Sequence, residues 1–141
     1  MKNYLIIGTV IILLAGVVFI SGCTSTPKET VLQEIDVSSL QSMSVFGGKG
    51  IILDIPDNAT SVRVTYNLTA DSSYGMGSNG NLGVSSDNID PNSGQNPISY
   101  NNLYLEAGPD KSITGEKNFT SNGAFYYTGN FASGKIIVYI K

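Results

Sequence analysis

Alternation of apolar and polar positions with a period of two organises this chain beyond residue 50. In Ser61–Thr69, SVRVTYNLT, Val62, Val64, Tyr66 and Leu68 alternate with Arg63, Thr65, Asn67 and Thr69. Successive side chains of an extended chain point to opposite faces, so the run predicts a half-buried β-strand. Residues 50–55, GIILDI, predict a second strand, and Pro56-Asp57-Asn58 a turn between the two, because Pro fixes φ and Asp and Asn favour turns. The pair reads as a hairpin or as a crossing between two sheets. Residues 134–140, GKIIVYI, are rich in β-branched residues and apolar on both faces, the pattern of a central strand. Residues 102–106, 117–120 and 124–128 predict three more strands. Residues 34–37 open the domain, with weaker signals at 40–46 and 81–85. The rest of 71–101 is rich in Gly, Ser and Asn and reads as one long loop, a feature that in compact domains is usually functional or disordered. No helical period and no internal repeat is present in this region.

Seven or eight short strands with Gly-rich turns predict an all-β fold, an antiparallel β-sandwich of jelly-roll or immunoglobulin-like kind. The chain has one Cys and no Trp, so the Cys…Trp…Cys pattern of true immunoglobulin domains is missing. The runs GIILDIPDNATSVRVTYNLT and GAFYYTGNFASGKIIVYI resemble small jelly-roll modules of secreted prokaryotic proteins, such as the pre-peptidase C-terminal type. That resemblance implies a non-catalytic accessory module and carries over no functional residue.

The first residues differ in kind. Lys2 supplies one positive charge, and residues 4–20 run for 17 positions without another. As a helix this stretch would be about 25 Å long, at the short edge of a membrane span. A basic start, an apolar middle and the small residues Ser21 and Gly22 are the parts of a secretory signal. Ile20-Ser21-Gly22-Cys23 resembles the lipobox of prokaryotic lipoproteins. The resemblance implies a lipid on the Cys23 thiol and cleavage just before it. The competing reading is an uncleaved membrane anchor. Both place the chain at the cell membrane on its extracytoplasmic face. The expected organisation is a signal peptide or anchor helix over 1–22, a lipidated tether over 23–33 and a β-sandwich over 34–141.

Charge narrows the partners. The chain carries a net −3, and cleavage before Cys23 leaves seven basic residues against eleven acidic ones, a charge of −4. Without a basic patch to neutralise phosphates, nucleic acid is not expected as a partner. There is no His, so Ser-His-Asp and Cys-His catalysis is excluded. Carboxylate pairs such as Asp54 with Asp57, or Glu106 with Asp110, leave a hydrolase as a third-ranked reading. Gly47-Gly48-Lys49-Gly50 lacks P-loop spacing and reads as a flexible turn. Residues 87–94 place oxygen side chains at alternate positions, but the glycine falls out of EF-hand register and a distal Glu is missing, so a turn is the better reading and no metal or cofactor is expected.

Three N-x-S/T sequons begin at Asn58, Asn67 and Asn118. In an exported chain these are candidate glycosylation sites, Asn67 on the polar face of its strand and Asn58 in a turn. Tyr74, Tyr100 and Tyr104 lie in or beside the long loop. Amphipathic rings among Asn and Asp suit stacking on sugars or anchoring a protein, which makes them the ligand-binding candidates. The expected role is interaction with an envelope protein or glycan, or adhesion; the alternative is a passive structural component of the envelope.

Overall fold

The computed structural model describes residues 27–43, 48–73, 75–85, 102–120 and 123–141. The expected signal helix, Cys23, Tyr74, Tyr100 and the 87–94 turn lie outside the described residues. Among the described residues there are nine strands: β1 (Thr30–Asp36), β2 (Ser42–Met43), β3 (Gly48–Asp54), β4 (Ser61–Thr69), β5 (Ser78–Ser85), β6 (Asn102–Ala107), β7 (Ser112–Thr120), β8 (Ala124–Gly129) and β9 (Ser133–Ile140). They form a four-stranded sheet in the order β1-β9-β4-β7 and a five-stranded sheet in the order β2-β3-β8-β5-β6. Every pairing is antiparallel. With the two-residue β2 set aside, successive strands switch between the sheets except at the β5–β6 hairpin, giving the jelly-roll order and deciding between the two expected sandwich types. Among the described residues no helix is long and apolar enough to cross a membrane.

The core lies between the inner faces of the two sheets. β4 contributes Val62, Val64 and Leu68, β9 contributes Ile136 and Val138, and all five are fully buried. Leu82 of β5 and Phe125 and Tyr127 of β8 meet them from the opposite sheet. β9 is central, as its composition predicts, with β1 on one side and β4 on the other. Its outward-facing Ile137 and Tyr139 are only partly buried, and the Arg63 guanidinium lies 4.1 Å from the centre of the Tyr139 ring. The 56–58 turn carries the chain from the five-stranded sheet to the four-stranded one, so the crossing is observed and not the hairpin.

Three segments differ from expectation. β1 begins at Thr30, inside the expected tether, because residues 30–36 complete the edge of the four-stranded sheet by pairing with β9. It gives way at Val37 to a single 3-10 turn, in which the Asp36 carboxylate accepts hydrogen bonds from the Ser38 backbone N–H at 2.9 Å and hydroxyl at 2.7 Å. β5 starts at Ser78, well inside the expected loop, and pairs on both sides. β7 spans Ser112–Thr120 although only its last four residues look strand-like in sequence. It is an edge strand with little apolar content. Gly115 stands opposite Tyr66, and a Cβ there would lie 2.4 Å from the Tyr66 hydroxyl, so glycine lets the ring lie across the strand.

The Tyr127 hydroxyl is buried and has no hydrogen-bond partner. Burial alone pushes its pKa far up. An unsatisfied buried polar group costs about 1–3 kcal/mol. Tyr127→Phe is therefore expected to hold or raise the unfolding free energy, by about 1 kcal/mol. Leu68→Ala, which empties a fully buried position, is expected to lose about 2–5 kcal/mol. Denaturant unfolding of both variants checks this, and a loss of stability in Tyr127→Phe would contradict it.

Candidate functional site

The ladders give the sandwich two poles. At one, the start of β1 and of β4 and the end of β9 meet, with Thr30 and Val62 both paired to Ile140. At the other, the end of β4 and the start of β9 meet, with Thr69 paired to Ser133. The segments leaving this second pole, together with the start of β3, the start of β5 and the end of β8, enclose a cleft of about 600 Å³. Its polar lining comes from Ser42, Lys49, Asp71, Asn79, Thr128 and Asn130. Buried Phe131 closes its apolar side.

The walls are tied to one another. Ser78 is buried, and its hydroxyl accepts from the Asp71 backbone N–H at 2.8 Å and donates to the Asn130 carbonyl at 3.2 Å. The Asn130 side-chain oxygen accepts from the Asn79 N–H at 2.7 Å, and the Asn130 N–H donates to the Asn79 carbonyl at 3.1 Å. The Ala132 N–H donates to the Thr69 carbonyl at 3.0 Å, closing the seam with the other sheet. Gly77 makes the approach to β5 feasible: it sits at φ +77°, and a Cβ there would lie 2.1 Å from the Ala107 carbonyl oxygen. Convergent polar groups from separate segments, held by backbone bonds, are what distinguish a ligand site from a wet surface.

Asp71 is half-buried, and its carboxylate is not free. Its carboxylate accepts from the Ser73 N–H at 2.7 Å. The Ser73 hydroxyl and N–H hold its pKa below the ordinary carboxylate value, with a smaller contribution from the Lys49 ammonium. The cleft thus offers an ionised carboxylate, an ammonium, two amides and two hydroxyls. That set matches a ligand with many hydroxyl groups better than a bare ion of either sign. Tyr104 is 58% exposed on the outer face of the five-stranded sheet, in the cross-strand row that runs through Asn81 to Thr128. Strand spacing puts it about 10 Å from Thr128, at the rim of the same face.

A second depression, an open groove of about 720 Å³, runs over the outer face of the four-stranded sheet. Thr65, Asn67, Thr69, Thr114, Glu116 and Lys135 line it. The Lys135 ammonium is paired with the Glu34 carboxylate, which raises its pKa. This groove is a strand surface with side chains standing side by side. All three sequon asparagines, Asn58, Asn67 and Asn118, are exposed, and the latter two stand on this face. Asn118 lies directly opposite Arg63.

Arg63 organises the start of the described chain. Its guanidinium donates to both carboxylate oxygens of Glu29, at 2.8 and 2.6 Å, and lies 3.5 Å from Glu116. The paired hydrogen bonds lower the pKa of Glu29 and raise that of Arg63.

The remaining candidates stay apart from any cleft chemistry. Asp54, Asp57, Glu106 and Asp110 are all exposed. Gly48-Lys49-Gly50 opens β3 and is not a flexible turn. Among the described residues no group of three or more His, Cys, Asp or Glu is placed to hold a metal. Sequence reasoning picked out Asp71 only as the edge of a loop and missed Ser78, Asn79 and Asn130. The available signal was the polar turn Gly129-Asn130 between two strong strands, which composition alone did not separate from the many other Asn residues.

No family model matches the chain, and no curated protein matches it. Among solved structures it is similar to one described as "Bacillus endospore appendages form a novel family of disulfide-linked pili". The identity is 11%, covering 84% of this chain and 93% of that one, with a TM-score of 0.39.

Asp71, Asp36 and Glu29 all have pKa values lowered in the folded chain. Such carboxylates stabilise the fold above their unfolded values, about 4, and that contribution is lost as pH falls through the lower folded values. Denaturant midpoints are therefore expected to fall between about pH 5 and pH 2. Asp71→Asn is expected to show a smaller fall over that range, and a fall identical to that of the parent chain would contradict the assigned hydrogen bonds.

Proposed function

We propose that this chain is an exported lipoprotein, held on the extracytoplasmic face of the cell membrane by a lipid on Cys23, whose β-sandwich is a non-catalytic binding module. Its ligand is a polyhydroxylated one, a glycan free in the surroundings or borne on an envelope protein. The observation that carries the reading is the cleft in which Asp71, Asn79, Asn130 and Lys49 converge while Ser78 and Asn130 lock the walls. Hydroxyl-rich ligands are bound by such mixed donors and acceptors, each worth about 1 kcal/mol net, with an aromatic ring supplying apolar contact. Exposed Tyr104, on the same sheet face, would provide that ring. The lipobox-like Ile20-Ser21-Gly22-Cys23 supports the anchor, and the acidic charge makes nucleic acid an unsuitable partner. In this reading Asn58, Asn67 and Asn118 are surface sites open to glycosylation.

Two measurements test the proposal. A glycan array probed with the full chain is expected to give hits that weaken about fivefold or more in Asn79→Ala and Lys49→Ala, and also in Tyr104→Ala. Silence on the array together with an empty envelope pull-down would favour a passive structural component. In cells, Cys23→Ser is expected to abolish incorporation of labelled lipid, and unchanged labelling would refute the anchor.

A further inference from the structure

The paired bonds between Glu29 and Arg63 have a consequence for how the domain is mounted. They fasten the polypeptide to the four-stranded sheet before β1 has begun, and the same guanidinium lies on the Tyr139 ring of the central strand. Glu29 lies six positions after Cys23 in sequence, a reach of about 20 Å at full extension. β1 then runs away from this point along β9, from Ile140 toward Lys135. The pole holding Thr30, the 56–58 turn and the end of β9 is therefore the one at which Glu29 is held. The cleft residues Asp71, Asn130 and Ala132 flank the opposite ends of β4 and β9. β4 has nine residues, so the poles are about 27 Å apart.

We infer that the domain stands upright on its membrane, with the Glu29–Arg63 clamp shortening the leash and the cleft at the membrane-distal pole. This rests on the lipid anchor at Cys23 proposed above. Charge favours the same posture: a cleaved chain of net −4 is repelled by anionic head groups and gains nothing by lying flat on them. The ligand that reaches the cleft is then one arriving from beyond the bilayer, and not the head groups of the membrane that carries the protein.

The test uses full-length lipidated protein in vesicles of phosphatidylethanolamine and phosphatidylglycerol, with acceptor dye on the lipid. A donor dye is placed on Asp57→Cys, in the exposed turn of the anchored pole, or on Lys111→Cys, in the exposed turn before β7. Energy transfer is expected to be strong from position 57 and several-fold weaker from position 111. Arg63→Ala, added to either, is expected to shrink the contrast by lengthening the leash. Protein that floats with the vesicles but shows equal or reversed transfer overturns the mounting and leaves the anchor standing. Protein that does not float overturns the anchor and the mounting with it. A contrast unchanged by Arg63→Ala overturns the role given to the clamp.

Discussion

The antiparallel ladder between β4 and β9 is the constraint on which the rest of the molecule depends. Eight residue pairs run along it, from Val62 with Ile140 to Thr69 with Ser133. On its inner face Val62, Val64, Leu68, Ile136 and Val138 are wholly removed from water. Burial of β-branched and leucine side chains at about 25 cal/mol per Å² makes this the main stabilising surface of the four-stranded sheet. Both strands are reached by crossings from the five-stranded sheet, β4 after β3 and β9 after β8. The ladder therefore also fixes where the two sheets are stitched together.

The placement of the chemistry follows from that geometry. Crossings occur at the ends of the ladder, so polar turns gather at the two poles and the faces stay comparatively regular. At one pole the β8–β9 turn meets the segment after β4, and Ser78 and Asn130 tie them with bonds between residues more than 50 positions apart in sequence. At the other pole Arg63 captures Glu29. Exposed ion pairs are individually weak. The contact matters here for where it holds the chain and less for its contribution to stability. The proposed anchor and the proposed ligand cleft thus occupy opposite ends of one rigid element.

Much of this architecture was legible in the sequence. The SVRVTYNLT run predicts β4 to the residue, and the apolar residues on both faces of β9 place it in the middle of a sheet. The first halves of β5 and β7, which the expected strands at 81–85 and 117–120 leave out, are hidden for physical reasons. β7 is an edge strand whose Thr114, Glu116 and Asn118 face outward while Gly115 leaves its inner surface to Tyr66, so alternation is muted. β5 reads SNGNLGVS; its first three residues carry no apolar side chain, and a Cβ on Gly80 would lie 2.7 Å from the Thr128 carbonyl oxygen. Glu29 looked like part of a polar tether because its partner lies 34 residues away. The cleft was still harder to see. Its bonds run largely between backbone groups and short polar side chains, and such residues are scattered throughout this Asn- and Ser-rich chain.

Hydrogen exchange on the full-length protein mounted in vesicles, with and without a soluble oligosaccharide that scores on the array, addresses the cleft most directly. Slowed exchange confined to the amides of residues 71–79 and 129–132 is the predicted result. Slowed exchange confined to the start of β1 and the 56–58 turn, with the cleft amides unchanged, would contradict it.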